Sequence, residues 1–408
     1  MFPYVLEWGS LLLRWLHVVA AMAWIGASFF FMHLDASLRP AKDIPADKGG
    51  ASWQVHGGGF YEMRKYLVSP EFLPEELTWH KWQAYTTWLS GFMLLACIYY
   101  VQSHLYLINP DVMPLSALQA SALGIGALGL GWVVYDQLCK SPLGNDENVL
   151  GLVGLITIVA ASFGFTKVFS GRGALIHTGS LMATWMAGNV FLVIIPNQRK
   201  VVASLMVGET PDPALGKQGK QRSTHNNYLT LPTVLLMLSN HYPVLYANST
   251  VIPPIVFLIT ISGSLIRHFY NVRHSDHAKF PWWTWAVAAV ALWLTFWVAM
   301  ASSPTGREQL GLTAAKSVLI TASQVPPPSK IVEIVTSRCS MCHAAEPVWD
   351  GIQIAPKAML LDTPANIARA TDAINLQAVL SRAMPPNNIT AMTDGERTAI
   401  ASWVKSTR

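Results

Sequence analysis

Cys339 and Cys342 stand three positions apart, and His343 follows at once, in the run Cys339-Ser340-Met341-Cys342-His343. That spacing is the attachment motif for a c-type haem. Two thiols one helical turn apart can form thioethers to the two vinyl groups of a haem, and the adjacent imidazole then becomes the proximal iron ligand. A zinc half-site is the rival reading, but zinc wants two further Cys or His ligands and residues 331–408 hold none. The second axial ligand should come from downstream, where Met359, Met384 and Met392 are available. Pro385 and Pro386 stiffen the chain after Met384, so Met384 is the expected ligand, with Met359 and Met392 filling the core. His/Met ligation raises the reduction potential and suits an electron acceptor. The other cysteines, Cys97 and Cys139, lie in apolar runs and read as inert thiols.

A second group of ionisable residues lies inside apolar segments: Arg14, His17, His177 and His241, with His104 nearby at a segment end. Arg14 sits one turn from His17, on the same helix face. A second set comprises His33, His80, His225 and His268, with His56 in a long loop. Ionisable groups inside a bilayer are costly and mark functional sites by default. His33, His104 and His268, near segment ends, fit a headgroup role instead.

The elements that hold these groups follow from composition. Of 408 residues, 52% are hydrophobic and 12% charged, against roughly 25% charged in a soluble domain. Mean hydropathy is +0.33 and there are 16 Trp. A disordered chain, a disulfide scaffold and a wholly soluble enzyme are excluded. The net charge of +5 is sorted by membrane side, so the total says little about nucleic acid, and no nucleic-acid partner is expected. Stretches at 9–34, 81–104, 116–139, 149–169, 172–196, 228–247, 251–270 and 282–303 are long and apolar enough to span a bilayer. The sixth is the weakest, because it carries Pro232, Asn240, His241 and Pro243. The first has no Lys or Arg ahead of it and reads as a retained helix, not a signal peptide.

One set of alternate loops holds fourteen basic residues, Arg222 and Arg267 among them, and the other holds two, Lys167 and Arg172. The basic set is cytoplasmic, so both termini are expected outside. Past residue 303, Pro304 and the run Pro326-Pro327-Pro328 suit an extended spacer over 304–330. Residues 331–408 then form a small helical domain whose last helix opens with a capping box, Thr393 to Glu396, and gathers Ile400, Trp403 and Val404 on one face. The expected fold is all-α: an eight-span transmembrane bundle over 1–303, the linker, and a cytochrome c domain.

The Ala383-Met384-Pro385-Pro386 stretch ahead of a capped final helix resembles class I cytochromes c. In the membrane part, three stretches resemble the bacterial integral-membrane urate oxidases fused to cytochrome c. They are Trp53-Gln54-Val55-His56-Gly57-Gly58-Gly59-Phe60-Tyr61, His225-Asn226-Asn227-Tyr228-Leu229-Thr230-Leu231-Pro232, and Ser239-Asn240-His241-Tyr242-Pro243. The resemblance covers essentially the whole chain. It implies oxidation of urate to 5-hydroxyisourate, with electrons passed through haem c to the respiratory chain, by way of a soluble or membrane cytochrome or oxidase, and not to O2. The basic-residue count, together with the attachment of haem c outside the bacterial cytoplasmic membrane, makes the expected location the inner membrane, multi-pass, with both termini and the cytochrome on the periplasmic side. The resemblance brings no catalytic set with it.

The site is therefore argued physically. At about 1.5 Å per residue, His17, His177 and His241 lie roughly 8–12 Å below the outer surface. Arg14, His17, His177 and His241 are the expected catalytic group: Arg14 would neutralise the urate anion and a histidine would take its proton. The same histidines could instead, or also, ligate a haem b between facing helices. The rival site is the first cytoplasmic loop, where His56-Gly57-Gly58-Gly59 with Tyr61, Arg64 and Lys65 could cradle a planar anion. A core of about 30 Å would separate it from an external haem, so it would need a relay. The non-enzymatic alternative is a membrane-anchored cytochrome c carrying electrons for a partner oxidoreductase.

Overall fold

The computed structural model describes residues 2–42, 44, 49–66, 73–110, 112–246, 248–275, 279–302, 307, 310–312, 326–349, 352, 355–356 and 359–407. Most of the expected 304–330 linker, Pro304 included, lies outside the described residues.

Eight long helical segments make up the larger part. They are α1 (Phe2–Ser37), α2 (Trp82–Leu95), α4 (Ala117–Lys140), α5 (Glu147–Thr166), α6 (Gly171–Gly188), α8 (Pro213–Leu238), α9 (Ile252–Ser275) and α10 (Trp283–Ala301). A π-helical turn over Ala96–Tyr100 carries α2 toward the short α3 (Ser103–Tyr106). Another, over Asn189–Ile194, joins α6 to α7 (Ile195–Met206). Local chemistry sets several starts. Ser116 and Gln119 form a capping box on α4, while Asp146, Ser170 and Asp212 cap α5, α6 and α8.

Among the described residues, six segments are long and apolar enough to cross a membrane: Val5–Ser37, Ala117–Lys140, Glu147–Thr166, Gly171–Met206, Ser249–His274 and Trp283–Ala301. Their outward faces carry exposed Trp15, Leu130 and Trp293. Such a surface suits lipid as its solvent. α2 falls short of the same length and α8 of the same apolarity, yet α2 lies against α1 and α6, and α8 against α6 and α9. Along α6 and α8 the contacts run antiparallel, from Arg172 on Asn240, through Gly179 beside Leu236 and Met186 bonded to Asn226, to Asn197 on Gln218. Against α6, α2 likewise stacks Tyr85 on Phe191, bonds Trp88 to Thr184, and ends where Ser170 bonds the Tyr106 carbonyl. The polarity of α8 comes partly from exposed Lys217, Gln218 and Lys220 in its first half, and partly from Arg222, Asn226 and Asn227, which are buried in the bundle. Pro232, inside α8, packs on α9 at Gly263, where a Cβ would fall 2.5 Å from the proline ring.

Two expectations change. The chain is mostly helical, but 49–66 forms an antiparallel hairpin, β1 (Gly49–His56) with β2 (Gly59–Tyr66). Gly57 and Gly58 turn it at φ +59° and +80°, the left-handed pair that a two-residue hairpin turn requires. Arg222 and Arg267, counted as loop charges, are instead helical and buried.

A separate apolar core belongs to the C-terminal residues, in α11 (Ser329–Cys339), α12 (Pro364–Arg369), α13 (Thr371–Ile374) and α14 (Asp394–Ser406). Ile334, Val335, Ile367, Met392, Ile400, Trp403 and Val404 meet there. The Thr393–Glu396 capping box opens α14 as expected.

Candidate functional site

A cavity of about 200 Å3 opens between α1, α2, α6 and the end of α8. Trp88, Phe92, Leu95, Ile98, Ile176 and Met237 give it apolar walls, and Arg14, His17, Tyr99, Ser180, Thr184, Asn240 and His241 its polar groups. Three of the four residues expected to act together, Arg14, His17 and His241, therefore line one space.

The orientation of His17 is set by α2. Its Nδ1 lies 2.9 Å from the Thr87 carbonyl, with the Ser90 hydroxyl at 3.4 Å. A carbonyl only accepts, so Nδ1 carries the proton and Nε2 of the neutral ring keeps a free lone pair. Gly91 makes room for the ring, since a Cβ there would lie 2.7 Å from His17 Cε1. His241 reaches the cavity from the short turn Ser239–His241, past the end of α8. Tyr99 donates to Asn240 Oδ1 at 2.6 Å, and Arg172 donates to the same oxygen. The Arg172 guanidinium also lies 4.4 Å over the Tyr106 ring.

His177 does not join them. It is fully buried, with Nδ1 2.8 Å from the Gly173 carbonyl and Nε2 3.2 Å from the Tyr100 hydroxyl. Phe169 packs at 4.7 Å between ring centres. Both ring nitrogens are engaged within the protein, so His177 props Tyr100 behind the wall.

At the other end of the bundle a buried polar cluster closes on itself. Arg222 pairs with Asp136 at 2.8 Å and donates to Asn189, which donates to Tyr135 and Asn226. Tyr135 meets His225 Nδ1 at 2.8 Å. This arrangement locks α4, π-turn and α8 together. The rival loop is the hairpin: its glycines form the tip, while Arg64 and Lys65 sit at the opposite end, beside Ala51 and Gly50, in ion pairs with Glu62 at 3.1 Å and Asp35 at 2.5 Å. His33 and His268 have ring partners, His274 and Tyr228.

In the C-terminal unit, the chain past α11 winds one further turn, with His343 N–H bonded to the Cys339 carbonyl at 2.9 Å. Cys339 and Cys342 are free thiols. Burial pushes the Cys339 thiol up to about 12 and raises Cys342 as well. His343 Nδ1 lies 3.0 Å from the Met359 carbonyl, which leaves Nε2 for a ligand. Met392 is buried in the core, whereas Met384 stands outside it. The Met384 loop is held by Arg397, which donates to the carbonyls of Met384 and Ala378. Two free thiols on one turn, an imidazole with its outer nitrogen free and a braced methionine fit a c-type haem.

The sequence reading missed Thr87, Gly91, Tyr99 and Arg172. Asn240 carried a signal: it was a polar group that weakened its span. Gly91 carried none, because its use is the shape of a partner on another helix.

A family model described as urate oxidase N-terminal matches residues 3–299. No curated protein and no solved structure matches the chain.

Proposed function

The chain belongs to the urate oxidase N-terminal family, and on that premise we propose that it oxidises urate to 5-hydroxyisourate and hands the electrons to a haem c on its C-terminal unit. The observation that carries this reading is the convergence of Arg14, His17 and His241 on one cavity. The overall change is C5H4N4O3 + H2O → C5H4N4O4 + 2H+ + 2e−. Arg14 supplies a positive charge for the urate anion, strengthened by the apolar walls around it. The free Nε2 of His17 takes a proton as water adds to the ring, and His241, which lines the same cavity, takes or returns another. Trp88 and Phe92 supply flat apolar surface for a planar ring. Cys339, Cys342 and His343 would hold the haem with Met384 as second ligand, and the group supplies one-electron acceptance when bound.

In the same reading the bundle has eight crossings, α2 and α8 included, in the bacterial inner membrane. The basic bias between alternate loops persists with the buried Arg222 and Arg267 set aside, and it supports both termini and the C-terminal unit on the periplasmic side. A respiratory cytochrome or oxidase would then receive the electrons. His17 and His241 are the imidazoles that would serve a b-type haem if one were bound in addition, and a pyridine haemochrome spectrum separates c from b.

The test is anaerobic addition of urate to the purified protein. Reduction of its haem c without any added protein is expected. Reduction that requires a partner oxidoreductase would make the chain an anchored electron carrier instead.

A further inference from the structure

The two units of the chain meet at a turn that follows α3. The carbonyls of Leu105, Tyr106, Leu107 and Ile108 come at the end of a short helix and need donors from elsewhere. Ser170 meets the middle two, its hydroxyl bonding the Tyr106 carbonyl at 2.8 Å and its N–H the Leu107 carbonyl at 2.8 Å. Asn387 meets the outer two, its Nδ2 donating to Leu105 at 2.9 Å and to Ile108 at 3.2 Å. Both amide protons are used, so the contact is specific to a side chain with two donors on one nitrogen.

We infer that Asn387 is the latch that seats the C-terminal unit over the Tyr99–Tyr106 end of the cavity, and that electrons leave the membrane part through this contact. Three observations support it. Asn387 adopts a left-handed backbone, φ +48°, which asparagine tolerates well. The loop around it is rigid: Asn388 bonds Met392 and Arg397, and Arg397 holds the Met384 carbonyl at 2.9 Å. The latch is therefore three residues from Met384 and shares its framework. Beneath the turn, the Tyr106 and Tyr99 rings are 6.3 Å apart, and Tyr99 lines the cavity. A path thus runs from the cavity through the Tyr99 and Tyr106 rings to the backbone turn whose carbonyls Asn387 bonds.

The inference rests on the proposed urate oxidation for the source of electrons. Urate gives up two electrons and two protons as water supplies the new oxygen. The electrons would leave singly toward the one-electron acceptor that Cys339, Cys342, His343 and Met384 would hold. One such group takes one electron, so the first would pass on to a second acceptor before the second arrives, and the protons pass to the cavity bases. Neither tyrosine changes oxidation state; both serve as packed medium.

The test uses the full chain. A photoreactive benzoylphenylalanine in place of Leu105 keeps the backbone carbonyl, and on illumination it should capture a C-terminal peptide containing Asn387. Asn387→Asp sets a carboxylate against two carbonyl oxygens and should abolish that capture. It should also slow urate-driven haem reduction by about tenfold or more. Covalent haem content and reduction by dithionite, a small soluble reductant, should not change. Absence of the cross-link, or Asn387→Asp that cross-links or reduces at the wild-type rate, would overturn the latch. A cross-link that forms normally while urate fails to reduce the unmodified protein would overturn the urate reading and leave the latch standing.

Discussion

His17 and His177 show how the same residue type takes different roles. Both were expected at one depth along their helices, and depth is what a sequence conveys. It does not convey which side of the helix faces which neighbour, and that angle separates them. His17 turns toward α2 and the cavity, whereas His177 turns toward Phe165, Phe169 and Tyr100. His17→Ala should lower turnover per folded molecule by about a hundredfold, the scale of a lost proton acceptor. His177→Ala should leave that turnover nearly intact and lower thermal stability, because it empties a packed site. Gly91→Ala should act like a mild His17 substitution, since its methyl must displace the ring. Urate turnover normalised to folded protein, set beside melting temperature, separates the three. Normal turnover in His17→Ala would remove it from the chemistry.

Elements were more legible than side-chain positions. Seven of the helical segments fall near stretches read from hydropathy, whereas α8 (Pro213–Leu238) starts well ahead of the expected 228–247 span and gives way to short turns before that span ends; the capped last helix was read from Thr393 and Glu396. The hairpin was not, because Trp53 to Tyr61 alternates too weakly around three glycines for strands to stand out. Arg222 and Arg267 were misplaced for a related reason: a cation near a span end looks like a loop charge until its buried partners are seen. For Arg222 those are Asp136 and Asn189, and for Arg267 Asn227 and Asn271. In the C-terminal unit, two carboxylates tie elements together. Burial would raise Glu396, but the Thr393 N–H and the Arg338 guanidinium outweigh it and hold the carboxyl below its ordinary range. The Asn366 side chain and the Ala345 N–H do the same for Asp362. A depressed carboxylate stabilises the fold above its unfolded pKa, and that stability is lost as pH falls through the folded value. The C-terminal unit should therefore weaken below about pH 4. Glu396→Gln keeps a capping side chain but loses the charge, so it should flatten that acid limb. Circular dichroism against pH checks this; an unchanged limb would show that the charge contributes nothing.

At the scale of the whole molecule, apolar segments, an exposed aromatic surface and a motif-bearing C-terminal unit were all legible in the sequence. Their meeting point was not, because the Asn387 contact joins residues nearly three hundred positions apart. If α8 is a true crossing, a reporter inserted after Gly208 should read as cytoplasmic and one after Asn248 as periplasmic. The same compartment for both would remove α8 from the membrane. The central claim is that urate's electrons go to the protein's own haem and not to O2. The most direct measurement mixes the purified protein with limiting urate under strict anaerobiosis and counts reduced c-type haem against urate consumed. Two haems reduced for each urate, with no peroxide, is the predicted result. Urate consumed only when O2 is admitted, with equimolar peroxide and the haem unchanged, would contradict it.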